Sequence, residues 1–271
     1  MTTSNHNIEA PIRVCLIGAG NVATHLAIAL SRVANIVQIY SHTLENTISL
    51  AKRIGHADIA TNALDNITHD ADIYIVSIKD DYIAEVAART PDCGIWAHTS
   101  GSIDISVFAG HKTNYGVFYP LQTFSRTADL DITGVPFFIE GNNIDTFDKL
   151  FTLASLISDV VEPADSKRRK ALHVAAVFAC NFVNYMWIQA DKLLRQDNLD
   201  ITCMMPLLKE TLNKLNSLSP VEAQTGPARR GDINIISNHL ANLSGDAKTI
   251  YSLLSDLIVK QYNPDIKDEQ N

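Results

Sequence analysis

Arg13-Val14-Cys15-Leu16-Ile17-Gly18-Ala19-Gly20-Asn21-Val22-Ala23 decides the fold: apolar residues run straight into a glycine turn, and the turn opens an alanine-rich apolar segment. The order reads as strand, phosphate loop, helix. Gly18 permits a tight turn, Gly20 lets backbone N–H groups approach a pyrophosphate, and Ala23 is small enough to seat the helix against the strand. The helix, from His25 onwards, then turns its partial positive charge toward the anion. A lone G-x-G-x-x-A is a weak signal, but Leu26, Ala29 and Leu30 share one face at helical spacing, so the strand before and the helix after both hold. Gly18, Gly20, Asn21, Val22 and Ala23 are the expected dinucleotide-binding residues of this loop.

The next apolar strand, 36–40, ends in Ser41-His42-Thr43. A site for NAD places Asp or Glu about 20 residues past the loop to hold the ribose 2′-hydroxyl, and that carboxylate repels a 2′-phosphate. No acid stands here. The reading is NADP, with Ser41, His42 and Thr43 as donors to the phosphate; Thr43 is also placed to cap the helix that follows, 44–54. Residues 73–78 form a continuous apolar run suited to a strand buried on both faces. Ligands of a doubly wound sheet lie beyond the carboxyl ends of its strands, so Ser77 and Ile78 are expected to touch the cofactor through their backbone. Strand 94–97 delivers His98-Thr99-Ser100-Gly101 to the same edge, and 116–124 adds Tyr119. We expect His98, Thr99, Gly101 and Tyr119 to contact substrate and Ser100 to hold a carboxylate or hydroxyl.

The 271 residues are 46% hydrophobic and 19% charged, an ordinary globular composition long enough for about two domains. A net charge of -8 argues against a general nucleic-acid binder or a binder of anionic membranes. Cys15, Cys93, Cys180 and Cys203 are widely spaced and form no C-x-x-C pair, which points to reduced thiols, a cytoplasmic location and no metal site. Residues 1–10 are polar, lack the apolar core of a signal peptide and read as a tail, as do 264–271.

Strands and helices alternate up to Pro163, and helical patterns take over beyond it. The expected architecture is α/β: a doubly wound, mainly parallel dinucleotide-binding domain over 11–163 and a smaller all-α domain over 164–263. Residues 171–190 are nearly apolar, about the length a membrane span needs. His173, Asn181, Asn184 and Gln189 lie inside that run, so it is expected to be a buried central helix of a bundle. On a helical wheel His173 and Asn184 lie about 20° apart and Asn181 about 60° further round, a polar edge facing one partner. Lys167-Arg168-Arg169-Lys170 at its start reads as a solvated face. In the loop 224–232, Gly226-Pro227 fixes a turn, and Arg229, Arg230 and Asp232 are candidate substrate contacts.

Four ordered motifs carry a resemblance: His98-Thr99-Ser100-Gly101, Phe118-Tyr119-Pro120-Leu121-Gln122-Thr123-Phe124, Leu172-His173-Val174-Ala175-Ala176-Val177-Phe178-Ala179-Cys180-Asn181, and Thr225-Gly226-Pro227-Ala228-Arg229-Arg230-Gly231-Asp232. Over about residues 11–260 the chain resembles a bacterial family of NADP oxidoreductases with a Rossmann-like front half and an all-helical back half of unknown function. That family is similar to pyrroline-5-carboxylate reductase and, more distantly, to 6-phosphogluconate and 3-hydroxyisobutyrate dehydrogenases. His42 stands where relatives often carry arginine for the 2′-phosphate, and Leu172 where the family often has tyrosine. The resemblance and the apolar back half imply a homodimer through the helical domain. The expected reaction is hydride transfer from NADPH to a C=O or C=N of a small carboxylate-bearing substrate, with His173 as proton donor and Asn181 polarising the acceptor. The alternative is an NADP-binding sensor or dimeric scaffold without turnover.

Overall fold

The structure, a computed structural model, describes residues 11–265, so nearly all of both expected tails lies outside the described residues. The chain divides into two compact units between Asn181 and Phe182. The first contains β1 (Arg13–Ile17), α1 (Asn21–Leu30), β2 (Asn35–Tyr40), α2 (Leu44–Arg53), β3 (Ala60–Thr61), β4 (Ile73–Val76), α3 (Ile83–Arg89), β5 (Ile95–His98), β6 (Asn114–Pro120), β7 (Phe137–Gly141), α4 (Ile144–Ser155), β8 (Val161–Pro163) and α5 (Ser166–Ala176).

The eight strands form one sheet in the order β3-β2-β1-β4-β5-β6-β7-β8. Every pairing is parallel except β6 with β7. Period-2 alternation explains why the central strands are apolar throughout. Val14, Leu16, Ile73, Ile75, Ile95 and Ala97 enter one core with Leu26 and Leu30 of α1 and Leu150 and Leu153 of α4. Cys15, Ile17, Tyr74, Val76 and Trp96 enter the other, with Ile83, Val86 and Ala87 of α3. Burial raises the Cys15 thiol well above the usual range, so this cysteine acts as a core hydrophobe. Sequence order reverses between β1 and β4, which opens a crevice beyond their carboxyl ends.

The second unit is helical: α6 (Val183–Gln196), α7 (Met205–Lys214), the short α8 (Pro220–Ala223) and α9 (Pro227–Arg230), α10 (Ile233–Asn242) and α11 (Gly245–Tyr262). A π-helical segment, Val177–Phe182, joins α5 to α6 in a helix of 31 residues. By length and composition alone that helix is apolar enough to cross a membrane. Here the expectation of a buried central helix is corrected, because none of its most apolar 18-residue window is buried.

Candidate active site

A cleft of about 1240 Å³ opens in the first unit beyond the ends of β1, β4 and β5. Its floor is the glycine loop. Gly18 has φ +128°, and a Cβ there would lie 2.1 Å from the Ser77 carbonyl oxygen, so both backbone and space exclude a side chain. Gly20 is the N-cap of α1 in extended conformation, and a Cβ built on it meets nothing within 4 Å among the described residues. That open space sits at a helix N-terminus whose first turn carries no acid, which fits a pyrophosphate. Gly18, Gly20, Asn21 and Val22 line the cleft. Ala23 does not; it is fully buried and seats α1 on the sheet. At the end of β2, Tyr40, Ser41 and His42 line the cleft together with Asn46 of α2. Thr43 stands beside them at the N-cap position of α2, outside the lining, where its carbonyl accepts from Thr47 Oγ1 at 3.0 Å.

Ser77 and Ile78 continue the lining at the end of β4. Thr99 Oγ1 donates to Ser77 Oγ at 3.1 Å, which ties the ends of β4 and β5. Ser100 lines the cleft, but its hydroxyl is committed within the protein: it donates to Asp80 Oδ2 at 2.9 Å and accepts from the Ser102 and Ile103 N–H groups at 3.0 and 3.1 Å. One proton and two lone pairs are thereby used, and Ser100 organises the loop. His98, expected to face substrate, is corrected: it is fully buried, outside the lining, and packs against Phe108. Alternation along β5 puts His98 on the same inner face as Trp96. Its Nδ1 accepts from the Ser100 N–H at 3.2 Å. Burial, with the nearby Arg169 guanidinium second, pushes the imidazole down to about 3, so the ring is neutral.

Tyr119 of β6 and His173 of α5 meet in this cleft. The Tyr119 hydroxyl lies 3.1 Å from His173 Nδ1, and the rings stand edge to face with centroids 6.1 Å apart. Burial raises the Tyr119 pKa. Gly101 packs so closely on this histidine that a Cβ would approach its Nδ1 to 2.6 Å. Ala176, Cys180 and Asn181 extend the wall from α5 into the π-helical segment. Each i→i+5 turn takes one residue more than an α turn, so the regular wheel fails beyond it. Asn184, expected on the same edge as His173, falls past the π segment in the second unit and outside the lining.

Arg229, Arg230 and Asp232 belong to the second unit, where they engage their neighbours. Arg230 pairs with Asp232 at 2.8 Å, and the Arg229 guanidinium lies 4.2 Å from the Tyr262 ring centroid. Among the described residues no cluster of His, Cys, Asp or Glu could hold a metal ion. Two residues central to the site escaped the sequence reading. Arg169, expected in a solvated run, is fully buried: it pairs with Glu140 at 2.5 Å and donates to the carbonyls of Ser100 and Ile103. Arg126 lines the cleft from the loop after β6.

Residues 1–121 match a Rossmann-like domain, and residues 135–258 match a domain of unknown function, DUF2520. None of the curated proteins is similar enough to this chain to count as a match. Among solved structures, a putative NADP oxidoreductase from Bacteroides fragilis is 42% identical, with a TM-score of 0.86 over 92% of this chain and 98% of that one. A protein from Thermotoga maritima is 22% identical (TM-score 0.73; 92% and 97% covered), and 1-pyrroline-5-carboxylate reductase from Streptococcus pyogenes is 12% identical (TM-score 0.64; 92% and 98% covered). The last two share the fold. At 42% identity over nearly the whole of both chains, this chain belongs to the family of the Bacteroides fragilis protein, a Rossmann-like domain followed by DUF2520.

Proposed function

We propose that the protein is an NADP(H)-dependent oxidoreductase acting on a C=O or C=N of a small, carboxylate-bearing molecule. One observation carries the reading: a single cleft holds both the open glycine loop at the start of α1 and the Tyr119–His173 pair. The relative from Bacteroides fragilis supports NADP chemistry. The reductase with the same fold takes a carboxylate-bearing C=N, as its name states, which supports the substrate class.

Bound nicotinamide supplies the hydride. The chain supplies the rest. Gly18, Gly20, Asn21 and Val22 hold the pyrophosphate at the α1 N-terminus, Ser41 and His42 hold the adenosine side, and Ser77 and Ile78 border the nicotinamide half. With its pKa raised by burial, Tyr119 keeps its proton at neutral pH and donates to His173 Nδ1. With Nδ1 engaged by Tyr119, His173 Nε2 is the ring atom that gives a proton to the substrate oxygen or nitrogen. The Tyr119 proton passes to Nδ1 in its place, so that no imidazolate forms and the charge ends on the phenolate. The Asn181 amide polarises the same acceptor, and Thr99 and Gly101 shape the wall that positions it. The enzyme works in the cytoplasm as a homodimer through the helical unit.

Following NADPH absorbance over a panel of keto acids, aldehydes and cyclic imines tests the proposal. At least one compound turns over, and His173→Ala lowers kcat by about 10²–10⁴ while the NADPH Kd stays near wild type. Tight NADPH binding with no turnover across the panel makes the protein a cofactor-binding sensor instead. Loss of NADPH affinity in His173→Ala moves His173 out of the proton-donor role.

A further inference from the structure

The turn after β2 offers the cofactor Ser41 and His42, but no residue of fixed charge. We propose that the missing cation is Arg126, delivered from the loop after β6, and that its guanidinium reads the 2′-phosphate of NADP. The inference rests on the NADP reading above and adds the residue that discriminates NADP from NAD.

Three observations place it. First, the guanidinium spans the gap between two cofactor-binding elements: it donates to the Ala19 carbonyl in the glycine loop and to Asn46 Oδ1, at 3.4 Å, in the first turn of α2. In a doubly wound sheet the adenosine ribose lies between these elements, beside the end of β2. Second, both acceptors are neutral, and among the described residues Arg126 has no carboxylate partner. A phosphate dianion forms shorter, stronger bonds to a guanidinium than an amide or a carbonyl does, and accepts two at once. The acid nearest in sequence to the β2 turn, Glu45, does not line the cleft. Third, the loop backbone is pinned while the side chain reaches inward. Asn21 Nδ2 donates to the Phe124 carbonyl at 3.0 Å, His25 Nε2 lies 2.8 Å from the Ser125 carbonyl, and Arg53 donates to the Arg126 carbonyl at 3.3 Å. Side chains of α1 and α2 thus fix the backbone from which Arg126 extends.

Isothermal titration calorimetry of NADPH, NADH, adenosine 2′,5′-bisphosphate and ADP against wild type, Arg126→Ala and Arg126→Lys tests this. Wild type favours NADPH over NADH and the bisphosphate over ADP. Arg126→Ala weakens NADPH and the bisphosphate by about 10–100-fold, the range for a lost hydrogen bond to a charged group, and leaves NADH and ADP within about twofold. Arg126→Lys recovers part of the loss. Equal weakening of NADPH and NADH shows a loop clip and overturns the assignment, as does an unchanged NADPH preference in Arg126→Ala. Wild type that binds no NADPH, or binds NADH equally well, overturns the NADP reading together with this one.

Discussion

A neutral imidazole holds the turn that presents Ser100 and Gly101 to the cleft. His98 Nδ1 can accept the Ser100 N–H only while it is unprotonated, and the burial that pushes the ring down to about 3 keeps it so. In the unfolded chain the same ring titrates near the ordinary value of about 6.5. The unfolded state therefore binds the extra proton first as pH falls. The stability His98 contributes is complete above about pH 6.5 and declines by about 1.4 kcal/mol per pH unit from there down toward pH 3. Between pH 7.5 and 5.0 this group alone accounts for about 2 kcal/mol. Urea unfolding at both pH values measures it, with His98→Asn, which keeps an acceptor for the Ser100 N–H, as the reference. The wild type loses about 2 kcal/mol more than the variant over that interval; equal losses show that His98 is protonated in the fold. The motif His98-Thr99-Ser100-Gly101 was legible as a site edge, yet residue type alone does not separate a buried ring from an exposed one. Strand phase does, since His98 shares a face with buried Trp96. The Tyr119–His173 contact left no local signal, because its members are 54 residues apart.

Arg169 shows what one helix turn adds to a charge run. Ser166, Arg169 and His173 are spaced i, i+3 and i+7, so they share the face of α5 that meets the 100–105 loop, β6 and β7, while Lys167, Arg168 and Lys170 remain exposed. The helix starts where the sequence placed it, with Asp165 as N-cap accepting the Arg168 N–H at 2.7 Å. Four consecutive cations looked solvated because hydration is the cheapest fate of a flexible charge. Glu140, 29 residues upstream on β7, decides otherwise for one of them. Arg169 joins α5 to the 100–103 loop and so fixes His173 against Gly101. Arg169→Met leaves Glu140 half-buried and uncompensated and is expected to destabilise by about 3–5 kcal/mol in denaturant unfolding. Adding Glu140→Gln removes the stranded charge and recovers part of that loss. A double variant as unstable as the single one would place the energy in the unmet carbonyls of Ser100 and Ile103 and sink the ion-pair account.

The doubly wound, mainly parallel sheet of the first unit follows from its glycine loop and alternating apolar runs and was legible, whereas its strand order and the antiparallel β6–β7 pairing are set by contacts distant in sequence. The helical unit was legible as helices and illegible as a surface, because periodicity reports which residues are apolar and not what covers them. Within the chain much is left uncovered. Leu207 and Leu212 of α7 are 61% and 62% exposed, and Leu253 and Leu257 of α11, one turn apart on one stripe, are 58% and 54% exposed. An exposed apolar stripe of this kind marks a contact with another molecule, and stable homodimers bury apolar faces on both copies. The proposed partner is a second copy through the helical unit. Light scattering at micromolar concentration is expected to give twice the 29.8 kDa chain mass. Leu253→Glu with Leu257→Glu places two carboxylates in that stripe and returns the mass to that of one chain, with helical circular dichroism retained. A wild type of single-chain mass overturns the dimer, and recovery with phospholipid vesicles rather than in the aqueous fraction would assign the exposed apolar helix to a bilayer.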